Sequence, residues 1–320
     1  MLCLMPEVLE SQLTTMRGEL VGFAYRMLGS PFEAEDAVQE ALLRAWRHGG
    51  DFDPARASLR TWVYRILTNV CLDMLRSAQR RAVSTDFTST ASPGGDLGPP
   101  LPSSSWVLPM LGDPSAEAER RESIRLAFVA ALQHLPPRQR AVLILRDVLC
   151  WQADEVAALL ETSTASVTSA LQRARATLRA AAPPRKTSLS MDAQRSLVDR
   201  YADAFQRHDI ATLVTLLHED VTTSMPPFTW WLRGRDRVAA VMSSSGACLD
   251  DRMLPAWANG APALWQQRPA TPGGPPEPFA LLVFDFGEEL ISSVTTFLGF
   301  SRERTGFGLP PAWAAQAGGG

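Results

Sequence analysis

Cysteine is scarce and scattered in this chain of 320 residues: Cys3, Cys71, Cys150 and Cys248 form no CxxC pair. That spacing argues against both a zinc site and a disulfide framework. The four thiols read as small buried hydrophobes, and no metal or cofactor is expected. No uninterrupted apolar run is long enough to cross a bilayer. The opening MLCLMPEVLE lacks a basic leader and is broken by Pro6 and Glu7, so it makes a poor signal peptide and the chain is read as cytoplasmic, with no membrane partner. Net charge is nearly absent too: 31 basic residues against 34 acidic leave −3, which does not by itself mark a nucleic-acid binder. There is no solenoid-type repeat. What remains, 46% hydrophobic and 20% charged residues, is a globular composition long enough for two or three domains.

Charge is unevenly distributed along the chain. From Glu33 to Asp53 there are six acids and two bases, a net of 2 − 6 = −4; from Arg56 to Arg81 six arginines stand against Asp73 alone, 6 − 1 = +5. Neighbouring segments of opposite sign fit two partners, a basic protein surface and phosphate, or else two solvated helix faces.

Helical periodicity fills the first 82 residues. Ala34, Val38, Ala41, Leu42 and Ala45 make one apolar stripe, and Leu59, Trp62, Val63, Ile66 and Val70 another. HGGDFDPARAS breaks the pattern between them. Residues 84–118 are rich in Pro, Gly and Ser and read as an extended linker, in which Trp106, Val107, Leu108 and Leu111 are apolar enough to dock. Helical pattern resumes near Ser123, breaks at Pro136-Pro137 and closes at Pro183-Pro184.

Within that second helical part, Val156, Ala157 and Leu160 form the inner face of a short helix, ETST makes a polar turn, and Val167, Leu171, Ala174 and Leu178 give the stripe of a second helix. Two short helices joined by a tight turn are a helix-turn-helix candidate, the alternative being an ordinary helical hairpin. The outer face of the second helix runs from Ser and Thr to Gln172, Arg173 and Arg175. That order suits an amino-terminal end in the major groove, with arginines on phosphate further along.

Taken together, YRMLGSPFEAEDAVQEALLRAWR with LRTWVYRILTNVCLDMLRSAQRRA resembles region two of bacterial extracytoplasmic-function sigma factors. LAFVAALQHLPPRQRAVLILRDVLCWQADEVAALLETSTASVTSALQRARATL resembles their region four. The resemblance implies partners: core RNA polymerase, through its β′ clamp and β flap, and promoter DNA. It implies that Asp36, Gln39, Glu40 and Arg44 dock on polymerase. It also implies that exposed Arg60, Tyr64, Arg65, Thr68, Asn69 and Arg76 melt and read the minus-ten element with cations, a stacking ring and polar groups. Ser166, Thr168, Ser169, Gln172, Arg173 and Arg175 would face the minus-thirty-five element. Trp62 is either core or a base-stacking wedge. The loop carrying Asp51 and Asp53 falls where the family holds an extruded base, and is acidic here.

From about Ser190 the period mixes. Leu197, Tyr201, Ala204 and Phe205 suit one amphipathic helix and Ile210, Leu213, Leu216 and Leu217 another; strand-like runs DVTTSM, FTWWLR, ALWQQR, FALLVFDF and LISSVTTFL follow. The layout is α+β with a curved, mostly antiparallel sheet. It resembles the SnoaL-like cone of the tailed sigma factors, the sigma G and sigma J type, which implies a regulatory domain able to hold a small ligand. Relatives of that cone include cyclases and ketosteroid isomerases. Asp203, His208, His218, Asp220 and Asp285 are the residues that could shuttle a proton in a cavity, and Asp285, interrupting LLVFDF, points either inward or out. No catalytic residue is assigned, because a fold does not fix a chemistry.

The expected architecture is therefore multidomain: two all-α sigma domains, region two over 1–83 and region four with its helix-turn-helix over 123–183, a linker over 84–122, an α+β SnoaL-like cone over 190–310, and a disordered tail over 311–320. The alternative is a one-component helix-turn-helix repressor with a sensor domain. In PPFTWWLRGRD, a strand would send Phe228, Trp230 and Leu232 one way and Thr229, Trp231 and Arg233 the other. Tyr201, Phe205, Trp230, Trp231 and Arg233 are the candidates for a pocket or docking patch. Asp209 and Asp236 suit helix starts.

Overall fold

A computed structural model of the protein describes residues 6–77, 97–112, 124–180, 189–244, 249–271 and 273–300. The tail expected over 311–320 and two cysteines, Cys3 and Cys248, lie outside them. The chain divides into two units: Met1–Ala82 with Phe128–Pro183, and Val83–Ala127 with Pro184–Gly320.

The first unit is helical. Helix α1 (Pro6–Leu28) ends at Gly29, whose φ of 76° lets its N–H reach the Tyr25 carbonyl at 2.8 Å. The chain then re-enters a helix at once, because Ser30 accepts the Glu33 N–H and Pro31 takes the first turn. Helix α2 (Pro31–Arg47) buries Ala34, Ala37, Val38, Ala41 and Ala45, a face of mostly small residues that lets α1 come close. The HGGDFDPARAS break is a 3₁₀ turn at Gly49–Asp51 followed by an Asx turn, in which the Ala55 N–H meets Asp53 Oδ1 at 2.9 Å. Ser58 then caps α3 (Leu59–Ser77) through the Thr61 N–H.

The second helical domain follows as α4 (Leu126–Leu132), α5 (Pro137–Leu143) running into a π turn at Ile144–Val148, α6 (Ala153–Leu159) and α7 (Thr164–Ala180). The Pro136-Pro137 break becomes the start of α5. Within this unit α3 packs against α5 and α6 as well as against α1 and α2. Arg140 of α5 is 4% exposed and donates to the carbonyls of Met27, at the end of α1, and of Gln133 and Leu135. A cation there complements the negative end of the α1 dipole, and burial lowers its pKa to about 10.

The second unit holds α8 (Met191–Gln206), α9 (Ile210–Thr215), α10 (Arg235–Ser244) and a six-stranded sheet of β1 (Leu217–Ser224), β2 (Trp231–Arg233), β3 (Arg252–Ala258), β4 (Ala261–Pro269), β5 (Pro276–Phe286) and β6 (Ile291–Leu298). Strand order is β2-β1-β6-β5-β4-β3; β1 and β6 are parallel and every other pair antiparallel. Period-two alternation sends Ala280, Leu282, Phe284 and Phe286 of β5 into one apolar cluster with Tyr201, Phe205, Phe228, Trp230 and Leu232. Leu281, Val283 and Asp285 point to the opposite face and are buried as well.

Of the expected linker, residues 97–112 are described; apart from a 3₁₀ turn at Ser103–Ser105 they form no helix, and they are held by the C-terminal domain. Leu101 N–H bonds to the Pro227 carbonyl at 2.8 Å and Gly112 N–H to the Trp257 carbonyl at 3.2 Å. Trp106, Val107 and Leu108 are buried. Asn259 is the staple. Its N–H donates to the Met110 carbonyl at 2.8 Å, its Oδ1 accepts the Met110 N–H at 3.1 Å, and its Nδ2 donates to the Ile124 carbonyl at 2.7 Å. Beyond Ile124, Arg125 pairs with the buried Asp285 at 3.4 Å.

Candidate polymerase and promoter interfaces

On α2, Asp36, Gln39 and Arg44 are exposed and Glu40 is half-buried, with Arg44 Nε bonded to Glu40 Oε1 at 2.6 Å. The structure brings these four residues to one helix face. It adds two residues that the sequence reading passed over: Leu43 is 39% exposed and Trp46 63%. Their i, i+3 spacing, out of step with the stripe through Leu42 and Ala45, is the signal that marks them. The outer face of α2 is thus a mixed-charge surface with an apolar centre, the composition of a protein-docking patch rather than of a DNA contact.

On α3, two expectations are corrected. Tyr64 is fully buried, between the ring of Phe23 at 5.3 Å and that of Trp151 at 5.1 Å, and burial raises the pKa of its phenol. Thr68 is also buried, with its hydroxyl returned to the Tyr64 carbonyl at 2.6 Å. The physical reason is that α3 is covered on two sides, by its own domain and by the second helical domain. Arg60, Arg65, Asn69 and Arg76 are exposed as expected. Three of these four are nevertheless paired: Arg60 with Glu19 at 3.2 Å, Arg65 with Glu161, and Arg76 with Asp73 at 3.0 Å. Trp62 is half-buried and leans on Phe52 of the preceding loop at 5.3 Å, so it is neither a full core residue nor a free wedge.

The helix-turn-helix takes the expected form. Val156, Ala157 and Leu159 are the buried residues of α6, with Leu160 becoming the cap, and Val167, Leu171 and Ala174 those of α7. Ser163 caps α7 through the Ser166 N–H at 3.2 Å. Ser166, Thr168, Gln172, Arg173 and Arg175 are exposed and Ser169 is half-buried, all on the outer side. Thr168 spends its hydroxyl on the Thr164 carbonyl and Arg173 leans on Ser169 Oγ at 2.6 Å. Arg175 is held in a two-pronged bond by Asp147 at 2.9 and 2.7 Å. Cys150, expected buried, is exposed at φ 56° in the turn before α6, whereas Cys71 is buried.

In the second unit, Tyr201 packs edge-on to Phe284 at 5.1 Å and stacks near Phe205, and both belong to the apolar cluster with Trp230. Trp231 points the other way and is half-buried; Arg233 is exposed and lies 3.5 Å from Asp220. The expected alternation around PPFTWWLR therefore holds, although only its last three residues, Trp231–Arg233, are strand. Asp209 caps α9 through the Thr212 N–H, and Asp236 lies in the first turn of α10. Of the proton-shuttle candidates, Asp203 is paired with Arg207 on the surface, His208 is half-buried, and His218 and Asp220 are exposed on β1. Asp285 is buried and faces outward toward Arg125, away from the Phe284 side of the sheet; burial raises its pKa and Arg125 pulls it back. Among the described residues no group of three or more His, Cys, Asp or Glu could hold a metal ion, and no helix is long and apolar enough to cross a membrane.

Two helical DNA-reading domains and a SnoaL-like cone define a transcription initiation factor with a fused accessory domain. The family comparisons agree segment by segment: sigma-70 region 2 matches residues 13–81, sigma-70 region 4 residues 125–178, and the SnoaL-like domain residues 198–261. The chain is 41% identical over 307 residues to the ECF RNA polymerase sigma factor SigG of Mycobacterium tuberculosis H37Rv, covering 92% of this chain and 82% of that one. It is 33% identical over 237 residues to SigJ of the same organism, covering 71% and 70%. The crystal structure of M. tuberculosis SigJ shares the fold with a TM-score of 0.64 at 24% identity, over 90% of this chain and 95% of that one. The chain belongs to the ECF family of RNA polymerase sigma factors; it binds core RNA polymerase and promoter DNA to start transcription.

Proposed function

We propose that the outer face of α2, centred on Leu43 and Trp46 and rimmed by Asp36, Gln39, Glu40 and Arg44, docks on the β′ clamp of polymerase in the cytoplasm. In this reading Arg60, Arg65, Asn69 and Arg76 engage the minus-ten strand. Gln172 and Arg173 lead at the minus-thirty-five element, with Ser166, Thr168 and Ser169 beside them and Arg175 reaching DNA only when Asp147 releases it. Supporting this division is the way α7 leaves its outer polar side exposed from Ser166 to Arg175 while burying Val167, Leu171 and Ala174. The C-terminal domain acts as a regulator and not as an enzyme, through the linker that it holds. Small-ligand binding in the domain fits the same reading.

The test of the minus-thirty-five assignment is a selection of promoters from a library randomised at that element, using reconstituted holoenzyme. Gln172→Ala should change the preferred sequence, by about 1–3 kcal/mol at the affected pair. Arg173→Ala should weaken every promoter alike and lower the salt slope by roughly one unit. An unaltered promoter profile for Gln172→Ala removes Gln172 from base recognition.

A further inference from the structure

Helix α7 has few cations to offer a promoter. Over Thr164–Ala180 it carries three arginines, Arg173, Arg175 and Arg179, with no lysine and no acid. Of the other arginines of region four, Arg140 is committed to the carbonyls of Met27, Gln133 and Leu135 and Arg146 to that of Trp151. Sequence-independent affinity for DNA comes from cations that neutralise phosphates and release their counterions, so each arginine of α7 stands for about one third of what the helix can supply.

Arg175 is held from another element by a carboxylate. Its Nε and Nη2 meet the two oxygens of Asp147, which lies 28 residues earlier, in the π turn at Ile144–Val148. That turn, closed by the Leu149 N–H on the Ile144 carbonyl at 2.9 Å, buries Ile144 and Leu145 and leaves Asp147 exposed beside α7. Widened turns of this kind recur at functional sites. Arg173 leans instead on Ser169 Oγ, a neutral hydroxyl of its own helix. A strut between α5 and α7 would use the same pair, but the side chains of Arg175 and Asp147 are 50% and 29% exposed, and ion pairs so open to solvent add little stability. On a helix that meets DNA, the same carboxylate matters more. It takes the guanidinium edge that a phosphate would take.

We infer that Asp147 restrains Arg175 and so limits how tightly region four holds DNA of any sequence, carboxylate and phosphate competing for one guanidinium. The inference rests on the reading of α7 as the minus-thirty-five helix. Holoenzyme carrying Asp147→Asn, which keeps the size of the side chain and removes its charge, is titrated onto a labelled promoter duplex recovered by the selection above and onto the same duplex with its minus-thirty-five element scrambled. Binding to both is expected to tighten, about fivefold at about 50 mM salt and about 1.5-fold at about 200 mM, because one added phosphate contact steepens the salt slope by roughly one unit. The preferred minus-thirty-five sequence should stay as it is. Asp154→Asn removes the same charge from the first turn of α6 and should move the slope by well under one unit. Weaker binding, or a slope no steeper than that of Asp154→Asn, overturns the restraint and leaves the pair a strut. In an Arg175→Ala background Asp147→Asn should no longer steepen the slope; steepening that persists means the carboxylate repels phosphate directly, and the inference is wrong. Arg173→Ala separates this from failure of the underlying reading. If Arg173→Ala does not lower the slope, α7 is not on the DNA and the restraint falls with it; if it does while Asp147→Asn changes nothing, α7 keeps its place and the restraint alone is wrong.

Discussion

Asp285 shows how one residue's surroundings decide between chemistry and structure. In the sequence it interrupts an apolar strand and is equally compatible with a cavity acid and an outward ion pair. The alternation of β5 resolves it, because Phe284 and Phe286 enter the apolar cluster and the residue between them cannot. On the outer face it meets Arg125, which is itself only 11% exposed along its side chain. Burial raises the Asp285 pKa, with Arg125 opposing. The folded state therefore keeps a proton that the unfolded chain has already released, and this group's contribution favours folding at low pH. That contribution is fully present below the unfolded pKa and is lost as pH rises through the raised folded value. Urea unfolding of the wild type and of Asp285→Asn, compared across that window, should show their difference falling as pH rises. A difference that grows instead would mean that Arg125 outweighs burial and the pair is formed as ions throughout.

Single elements show where sequence reading succeeds and where it stops. Helices α2 and α7 each bury one stripe and leave the rest to solvent, so period and capping residues were enough to place them and their outward side chains. Helix α3 was legible only in part. Its stripe through Val63 and Val70 is buried as expected, but Tyr64 is covered from another side by Trp151 of the second helical domain, which a one-faced pattern cannot announce. Strand β3 shows no strand pattern in the sequence because Pro255 interrupts it, which an edge position tolerates. The Asn259-Gly260 pair that turns it into β4, both residues at positive φ, was the available signal. On α2 the apolar pair Leu43 and Trp46 carries an element-level prediction. Trp46→Ala should lower the affinity for core polymerase about 5- to 30-fold, as loss of a central aromatic anchor does. Because Trp46 is mostly exposed, its loss should leave the unfolding midpoint of the free protein in place; retention assays on immobilised core polymerase check the first part and urea titration the second. Unchanged retention would move the docking centre off α2.

At the scale of the whole molecule, the linker joins the two helical domains and part of it is bonded to the C-terminal domain. Residues 84–122, fully extended, reach about 130 Å, comfortably more than the roughly 85 Å between the two promoter elements. Length is therefore not the constraint. The constraint is that the segment from Leu101 to Gly112 and the residues Ile124 and Arg125 are bonded to the C-terminal domain. While those bonds last, the cone travels with the residues of the linker that it holds. Asn259 is the residue through which to break them, since its side chain holds Met110 and Ile124 together and its backbone sits at φ 51°. Asn259→Gly keeps that backbone accessible and removes both side-chain bonds, an expected loss of about 1–3 kcal/mol of grip. If the domain regulates by holding the linker, Asn259→Gly combined with Arg125→Ala should shift promoter-specific transcription in the same direction as deletion of residues 190–320, and by a smaller amount. Should the deletion change transcription while the released linker does not, regulation runs through another surface of the cone; should neither change it, the domain does not regulate initiation by this polymerase.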